Sequence, residues 1–288
     1  MKNSPEPWIN TCPVGCSAPL TDTALVLREG ALRRCADCGQ LVSSATVARY
    51  RETMAQFDAA GFNLPQGRAL ARRDAVARRR LARIAALLGK TPRDIRLLDV
   101  GCSRGQFVAA AAQAGFAAAG VEPAPQIAQA ARESGLTIHT GLLEEQHFAD
   151  ASFDALTLFE VIEHLAAPLP LLAECRRVLR PGGVLMLSTG NAASWTVAAM
   201  GARWDYFDMA RDGGHVSFFN PRSLALLAAR AGFSVDHIVT ARVKFHEKET
   251  TPRWRYLPGK IIAEALNLPA RLAGHGHDLL ACLRKPAG

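Results

Sequence analysis

The chain has 288 residues, 49% hydrophobic and 21% charged, which is enough for one large domain plus a small module and unlike a disordered chain. Its net charge of +8 is uneven: residues 1–98 carry +8, 99–190 carry −5 and 191–288 carry +5, so a polyanion-binding groove across the middle of the chain is disfavoured. No apolar run reaches the ~18–20 residues needed to span a bilayer, and the opening MKNSPEPWINTCP has no signal-like apolar core, so a cytoplasmic protein without a transmembrane segment is expected.

Cys12 and Cys16 are followed, after 18 residues, by Cys35 and Cys38. Two close thiol pairs brought together give tetrahedral sulfur coordination, which suits zinc. Residues 24–28 and 31–34 read as strands around a turn at Glu29-Gly30, a hairpin that returns the second pair to the first. Gly39 is placed to let backbone N–H groups reach thiolate sulfur. The pattern resembles a zinc ribbon, with one departure: Pro13-Val14-Gly15 makes the first pair Cys-x3-Cys instead of Cys-x2-Cys. Four thiolates leave no open position, so the metal is structural, and a module of residues 1–48 is too small to fold on its own core. Cys102, Cys175 and Cys282 read as small buried hydrophobes.

Residues 49–95 read as a basic helical connector. Residues 50–64 form a polar, partly helical linker, and 68–90 form a helix with Leu70, Val76, Ala77, Leu81, Ile84 and Leu88 on one face. Arg72, Arg73, Arg78, Arg79, Arg80 and Arg83 fill most of the rest, as a solvated face or as an anchor for a phosphate-bearing substrate or nucleic acid. Gly89 and Pro92 end the helix.

From residue 96 the pattern alternates strand and helix. Strands are expected at 96–100, 117–121, 136–140, 153–159, 184–188, 233–240 and 278–283, with helices at 106–114, 125–134, 169–179 and 221–231. Such repeats fold as a doubly wound parallel sheet with helices on both faces. Within it, Leu97-Leu98-Asp99-Val100-Gly101-Cys102-Ser103-Arg104-Gly105 runs a buried strand into a glycine turn, and Glu122 follows 21 positions after Gly101. That layout suits a nucleotide-like ligand, whose ribose diol a carboxylate accepts. Residue 106 is Gln, so the third glycine of a dinucleotide fingerprint is absent.

Four segments together resemble the class I S-adenosylmethionine-dependent methyltransferases, in the subgroup related to ubiquinone-biosynthesis O-methyltransferases: LLDVGCSRGQF, SFDALTLFEVIEHLAAP, RRVLRPGGVLMLSTGN and GGHVSFFNPRSLALLAARAGF. The resemblance covers 97–240 and implies a Rossmann-like α/β fold. Its seven-stranded sheet would have the order 3-2-1-4-5-7-6, the last strand antiparallel, within a domain at 96–288. It implies S-adenosyl-L-methionine held by Asp99, Gly101, Ser103, Gly105, Glu122, Leu143, Phe159 and Glu160. Asp99 would lie near the donor's ammonium and Glu122 at its ribose. Ser103 and Arg104 depart from the family's glycine-rich turn, and Leu142-Leu143-Glu144-Glu145 stands where an adenine-side acidic residue is usual.

For the chemistry, His164 and His215 are the candidate bases. Glu160 and His164, four apart, are expected on one helical face. His215 lies in an insertion at 204–220, where Trp195, Trp204, Tyr206, Phe207, Phe218 and Phe219 suit a lid over a flat acceptor or local packing. Residues 254–272 complete an acceptor pocket, cover a sheet edge or touch a membrane. A small-molecule, sugar or lipid-linked acceptor is the leading expectation. An RNA base methyltransferase and a non-catalytic zinc-ribbon scaffold remain as alternatives. The first lacks the Asn/Asp-Pro-Pro-aromatic motif for exocyclic amines, with Phe159-Glu160-Val161-Ile162 in its place.

Overall fold

The chain alternates between elements that pack the N-terminal cysteines and elements that build the large sheet. A computed structural model describes residues 6–60, 67–211, 213–246 and 251–287, and the predicted linker positions 61–64 lie outside these. In order come β1 (Leu20–Leu27), β2 (Gly30–Cys35), β3 (Leu41–Val42), α1 (Val47–Ala60), α2 (Arg68–Leu88), β4 (Arg96–Val100), α3 (Gln106–Gln113), β5 (Ala117–Glu122), α4 (Pro125–Glu133) and β6 (Ile138–Thr140). Then follow β7 (Phe153–Phe159), α5 (Pro168–Val178), β8 (Leu179–Gly190), α6 (Trp195–Met200), β9 (Ser217–Phe218), α7 (Pro221–Arg230), β10 (Ser234–Ala241), α8 (Arg253–Leu272) and β11 (Asp278–Arg284).

Seven strands form one sheet in the order β10-β11-β8-β7-β4-β5-β6. Read from the β6 edge this is the expected 3-2-1-4-5-7-6. β11 runs antiparallel to both β8 and β10, and the other pairs are parallel. The central strands are apolar on both faces because helices cover both. On one side Leu81 and Ile84 of α2 meet Leu97, Ala155 and Met186. On the other, Leu172 and Cys175 of α5 and Leu224 and Leu227 of α7 meet Leu156, Leu158 and Leu187. The apolar stripe predicted for α2 holds only in its second half, since Leu70 and Val76 are exposed while Leu81 and Ile84 are buried.

A second sheet has the order β1-β2-β3-β9. Its last strand belongs to the insertion after α6, with Leu41 opposite Phe218 and Val42 opposite Ser217. The N-terminal hairpin is thus paired into the main body. Leu32 and Leu41 pack with Val197, Met200, Trp204, Phe207 and Phe218, all buried. Of the two expectations for the aromatic insertion, local packing holds for Trp204, Phe207 and Phe218, whose rings fill a core shared with the hairpin.

Asp154, at the start of β7, ties three elements together. Its carboxylate accepts from Lys90 Nζ at 2.7 Å, the Arg96 amide at 2.9 Å and Arg180 Nη1 at 2.9 Å. Burial alone would raise its pKa, but these donors outweigh burial and hold the carboxyl below its usual value. A folded pKa below the unfolded one gives stability that is present above the unfolded pKa of ~3.9 and is lost as pH falls through the folded pKa. Asp154→Asn is expected to cost about 1–3 kcal/mol at neutral pH, at the lower end because both cations are partly exposed. The gap to the parent chain should close on acidification; denaturant melts at neutral and acid pH check both parts.

Candidate functional site

Parallel strands end together, so loops after β4, β5, β6, β7 and β8 meet at one sheet edge, where open α/β sheets bind ligands. After β4, the Gly101 and Cys102 amides donate to the Val121 carbonyl at 2.9 and 3.0 Å. Gly101 has φ 73°, and a Cβ there would meet Val161 Cγ2 at 2.6 Å, so this turn requires glycine. Ser103 adopts φ 49°, the left-handed conformation that costs an L-residue roughly 1–2 kcal/mol. The family's glycine at this place has a conformational reason, and serine occupies it under strain.

Ser103 has a compensation. Its amide donates to Glu122 Oε2 at 2.8 Å, and the Ala124 amide donates to Glu122 Oε1 at 3.0 Å. Glu122 is buried at the end of β5, its carboxylate fixed by two backbone donors. Asp99, buried at the end of β4, accepts from Thr157 Oγ1 at 2.6 Å. Burial pushes its carboxyl up to about 7, a position that a neighbouring cation would stabilise. Ser103 Oγ and Arg104 Nε are buried without a hydrogen-bond partner. Polar atoms left this way beside a glycine turn fit a ligand with donors and acceptors of its own. After β6, Leu143 opens a short 3-10 helix with its side chain in the core, and Glu145 turns back to accept the Leu142 amide at 2.8 Å.

At the end of β7 the Phe159 ring meets Phe107 edge-on at 4.9 Å, and the Arg80 guanidinium carbon sits 4.0 Å from the Phe159 ring centre. Burial lowers the Arg80 pKa, while Glu160, Asp278 and Asp99 oppose that shift. Arg80 is therefore a site residue, not part of a solvated face. Its position four before the buried Ile84 was the available signal, because i and i+4 share a helix face.

Glu160 has φ 57° and its amide donates to the Ser188 carbonyl at 3.0 Å. Its carboxylate accepts from Ser188 Oγ at 2.8 Å and from Tyr206 Oη at 3.0 Å. Tyr206 Oη also lies 2.5 Å from Glu163 Oε1 and 3.0 Å from Thr189 Oγ1. A phenol has one proton and here faces two carboxyl groups. Burial, with the charge of Glu160, pushes Glu163 well above the ordinary carboxylate range, so its protonated form can supply the second hydrogen.

Residues 160–164 do not form the expected helical face. Only Ile162–His164 make a single 3-10 turn, and Glu160 and His164 point to different partners. His164 Nδ1 lies 2.9 Å from the Gly213 carbonyl oxygen, and His215 Nδ1 lies 3.0 Å from that of Tyr206. Carbonyls only accept, so both Nδ1 atoms carry the proton. The two rings meet edge-on at 4.7 Å, and His215 Nε2 is 3.9 Å from Glu163 Oε1. Burial holds His164 at about 4 and His215 at about 3, so both are neutral at pH 7. Sequence proximity did not show that these two histidines, 51 positions apart, would touch. Glu163, His164 and His215 also offer atoms within 4.8 Å of one another that could hold a cation.

The four N-terminal cysteines converge as the spacing predicts, with their sulfurs within 4.8 Å of one another and those of Cys12 and Cys38 at 3.6 Å. Burial, reinforced by Cys12 and Cys16, pushes the Cys38 thiol well up. Packed thiols of this kind fit a cation, which removes the cost of deprotonation. Gly39 plays the expected part: at φ 72° it brings the Gln40 amide to the Cys38 sulfur, and its own amide donates to the Cys35 carbonyl at 2.9 Å. The Cys35 sulfur faces the Cys38 and Asp37 amides, which outweigh burial and lower its pKa. The main domain reaches this centre through α7 and its cap. Arg230 Nη1 is 3.5 Å from Cys16 Sγ, and Asn220 Nδ2 donates to the Cys38 carbonyl at 3.2 Å.

The methyltransferase domain family matches residues 70–238. The chain is 32% identical over 165 residues to a ubiquinone biosynthesis O-methyltransferase of Thiobacillus denitrificans, covering 54% of this chain and 68% of that one. It is 38% identical over 118 residues to the enzyme of the same name from Cereibacter sphaeroides, covering 38% of this chain and 48% of the relative. Among solved structures, the fold is similar to a complex of the Haloferax volcanii Trm112 methyltransferase activator and a methyltransferase (TM-score 0.53, 18% identity, 81% of this chain and 97% of that one). It is also similar to the Burkholderia thailandensis 1,6-didemethyltoxoflavin-N1-methyltransferase with bound S-adenosylhomocysteine (TM-score 0.51, 20% identity, 87% and 97%). With the strand order, the glycine turn and this match across more than half its length, the chain belongs to the methyltransferase domain family and is an S-adenosylmethionine-dependent methyltransferase.

Proposed function

We propose that the chain methylates a hydroxyl of a small-molecule acceptor. The observation that carries this is the cluster of Glu160, Glu163, Tyr206, His164 and His215 at the carboxyl end of β7, beside Phe159, in which Glu163 and His215 are buried and Glu160 is exposed. It is a proton-handling set next to the donor-binding turn. The curated relatives, named for O-methylation in ubiquinone biosynthesis, support an acceptor of this class.

The donor supplies a methyl group on sulfonium. Asp99 would hold its ammonium and Arg80 its carboxylate, while Glu122 would accept from the ribose hydroxyls. Gly101, Ser103 and Gly105 would let the backbone approach it, and Leu143, Phe159 and Glu160 would border it. In the transfer, the carbon–sulfur bond breaks as the carbon–oxygen bond forms, and the acceptor's proton passes to the neutral His164. His215, enclosed behind it and bonded to the Tyr206 carbonyl, positions that ring. The enzyme mainly aligns the two reacting atoms and excludes water.

The division into a module at 1–48, a connector at 49–95 and a methyltransferase domain at 96–288 belongs to the same reading. Zinc on Cys12, Cys16, Cys35 and Cys38 then holds the module's loops together.

His164→Ala is expected to lower turnover about a hundredfold or more and leave donor affinity unchanged. His215→Ala should lower turnover less and shift the pH profile. Calorimetry with S-adenosylmethionine and methyl-transfer assays on a panel of phenols read these out. Full turnover in both variants would remove the base assignment. Salt-sensitive RNA binding together with RNA methylation would replace the acceptor class.

A further inference from the structure

Helix α8 has two apolar faces, and the fold uses only one. Ala263, Leu266 and Ala270 pack on Val243, Trp195 and Phe245. Asn267 Oδ1, on the same side, accepts the Val243 amide at 2.7 Å. At 3.6 residues per turn, the opposite face carries Trp254, Ile261, Ala265, Leu268 and Leu272. Trp254 is 75% exposed, Ile261 69%, Leu268 64% and Leu272 80%. Four large side chains in register on the outside of a helix are not scattered surface hydrophobes.

The charges sit at the margins of that face. Arg253, Lys260, Glu264 and Arg271 line one margin and Arg255 the other, its guanidinium carbon 5.6 Å from the Trp254 ring centre. Four of these five are basic. An apolar strip with basic margins and an aromatic ring at one end is the pattern of a helix lying in a bilayer surface, where basic side chains meet anionic headgroups.

Two prolines choose between this surface and a second copy of the chain. Pro258 and Pro269 lie inside α8 and lack the N–H that the carbonyls of Trp254 and Ala265 would otherwise receive. Those carbonyls belong to residues of the outward face. A dry helix–helix seam would leave them unpaired, whereas hydrated headgroups can donate to them. No described helix is long and apolar enough to cross a membrane, which fits a helix lying on the surface.

The helix is also placed for use. The chain enters it from the carboxyl end of β10 and leaves it toward the start of β11, both at the ligand-binding edge. Lys244, after β10, binds Asp205 at 2.9 Å, next to Tyr206 of the proton-handling cluster.

The geometry points to α8 as a docking surface for an anionic bilayer, with Trp254, Ile261, Leu268 and Leu272 in the acyl boundary and Arg253, Lys260 and Arg271 among the headgroups. The surface does not depend on the acceptor reading. Its consequence, that the acceptor reaches the site from the bilayer, rests on that reading.

The test is flotation of the full chain with phosphatidylcholine vesicles, with and without phosphatidylglycerol. Binding is expected only to the anionic vesicles and should weaken with salt. Ile261→Asp with Leu268→Asp should lower it more than about tenfold, and Arg253→Glu with Arg271→Glu should remove the preference for phosphatidylglycerol. Tryptophan emission should shift to the blue on binding, and Trp254→Phe should abolish that shift. Donor affinity, read by calorimetry, should be unchanged in every variant. If it is also lost, the fold has been damaged, and the Trp254→Phe emission decides alone. Absence of wild-type binding, or binding unaltered by the paired aspartates, overturns the proposal. So does a dimer in light scattering that Ile261→Asp dissociates. Intact vesicle binding with no transfer to any phenol would instead overturn the acceptor reading and leave the surface standing.

Discussion

Cys38→Ser is expected to release the metal and to loosen the main domain as well as the cysteine module. The reason is the shared architecture: β9 completes the N-terminal sheet, Asn220 holds the Cys38 carbonyl and Arg230 approaches Cys16. Losing the centre frees the hairpin, and freeing the hairpin uncovers Trp204, Phe207 and Phe218, which are buried against Leu32 and Leu41. A structural zinc contributes its binding free energy to folding. If only about 4 kcal/mol of that is felt by the whole chain, the melting temperature falls by roughly 8–16 °C. Elemental analysis should give one zinc per wild-type chain and none in the variant. A metal-free wild type with the same melting temperature before and after chelation would end the assignment.

Glu122→Ala is expected to weaken S-adenosylmethionine binding by about a hundredfold or more. Each hydrogen bond from a ribose hydroxyl to a carboxylate is worth roughly 1.5–3 kcal/mol, and two are lost together. The same carboxylate accepts the amides of Ser103 and Ala124, so the glycine turn loses its brace at the point where Ser103 is strained. Glu122→Gln retains one acceptor and should lose less. Calorimetry measures the affinity, and a melt without donor measures the turn, separating contact from scaffolding. Unchanged affinity in Glu122→Ala would place the ribose elsewhere.

The sequence showed most where chemistry and period agree. The runs at 96–100 and 153–159 carry apolar residues on both faces around a few polar ones, as strands covered by helices do, and they appear as β4 and β7 with the same bounds. The strand order followed from the family resemblance, not from any local pattern. The cysteine spacing was enough to predict that four thiols meet. Sequence alone left Arg80 between a solvated face and an anchor, because an arginine among arginines looks solvated, and only the course of α2 across the sheet turns it onto Phe159. The pairing of His164 with His215 was hidden because the contact depends on where the insertion returns, and no spacing encodes that.

What the sequence determined by itself was the alternation of strand and helix, the glycine turn with its carboxylate at Glu122, and the thiol tetrad. Each of these rests on neighbours within a few residues or on ligand chemistry that tolerates little else. Only the tertiary structure decided that β9, two residues long, fuses the cysteine module to the main domain. It alone decided that Trp204, Phe207 and Phe218 of the insertion are core, and which face of α8 points outward. A two-residue strand has no period to read, and a helix with two apolar faces does not announce which one the fold will bury.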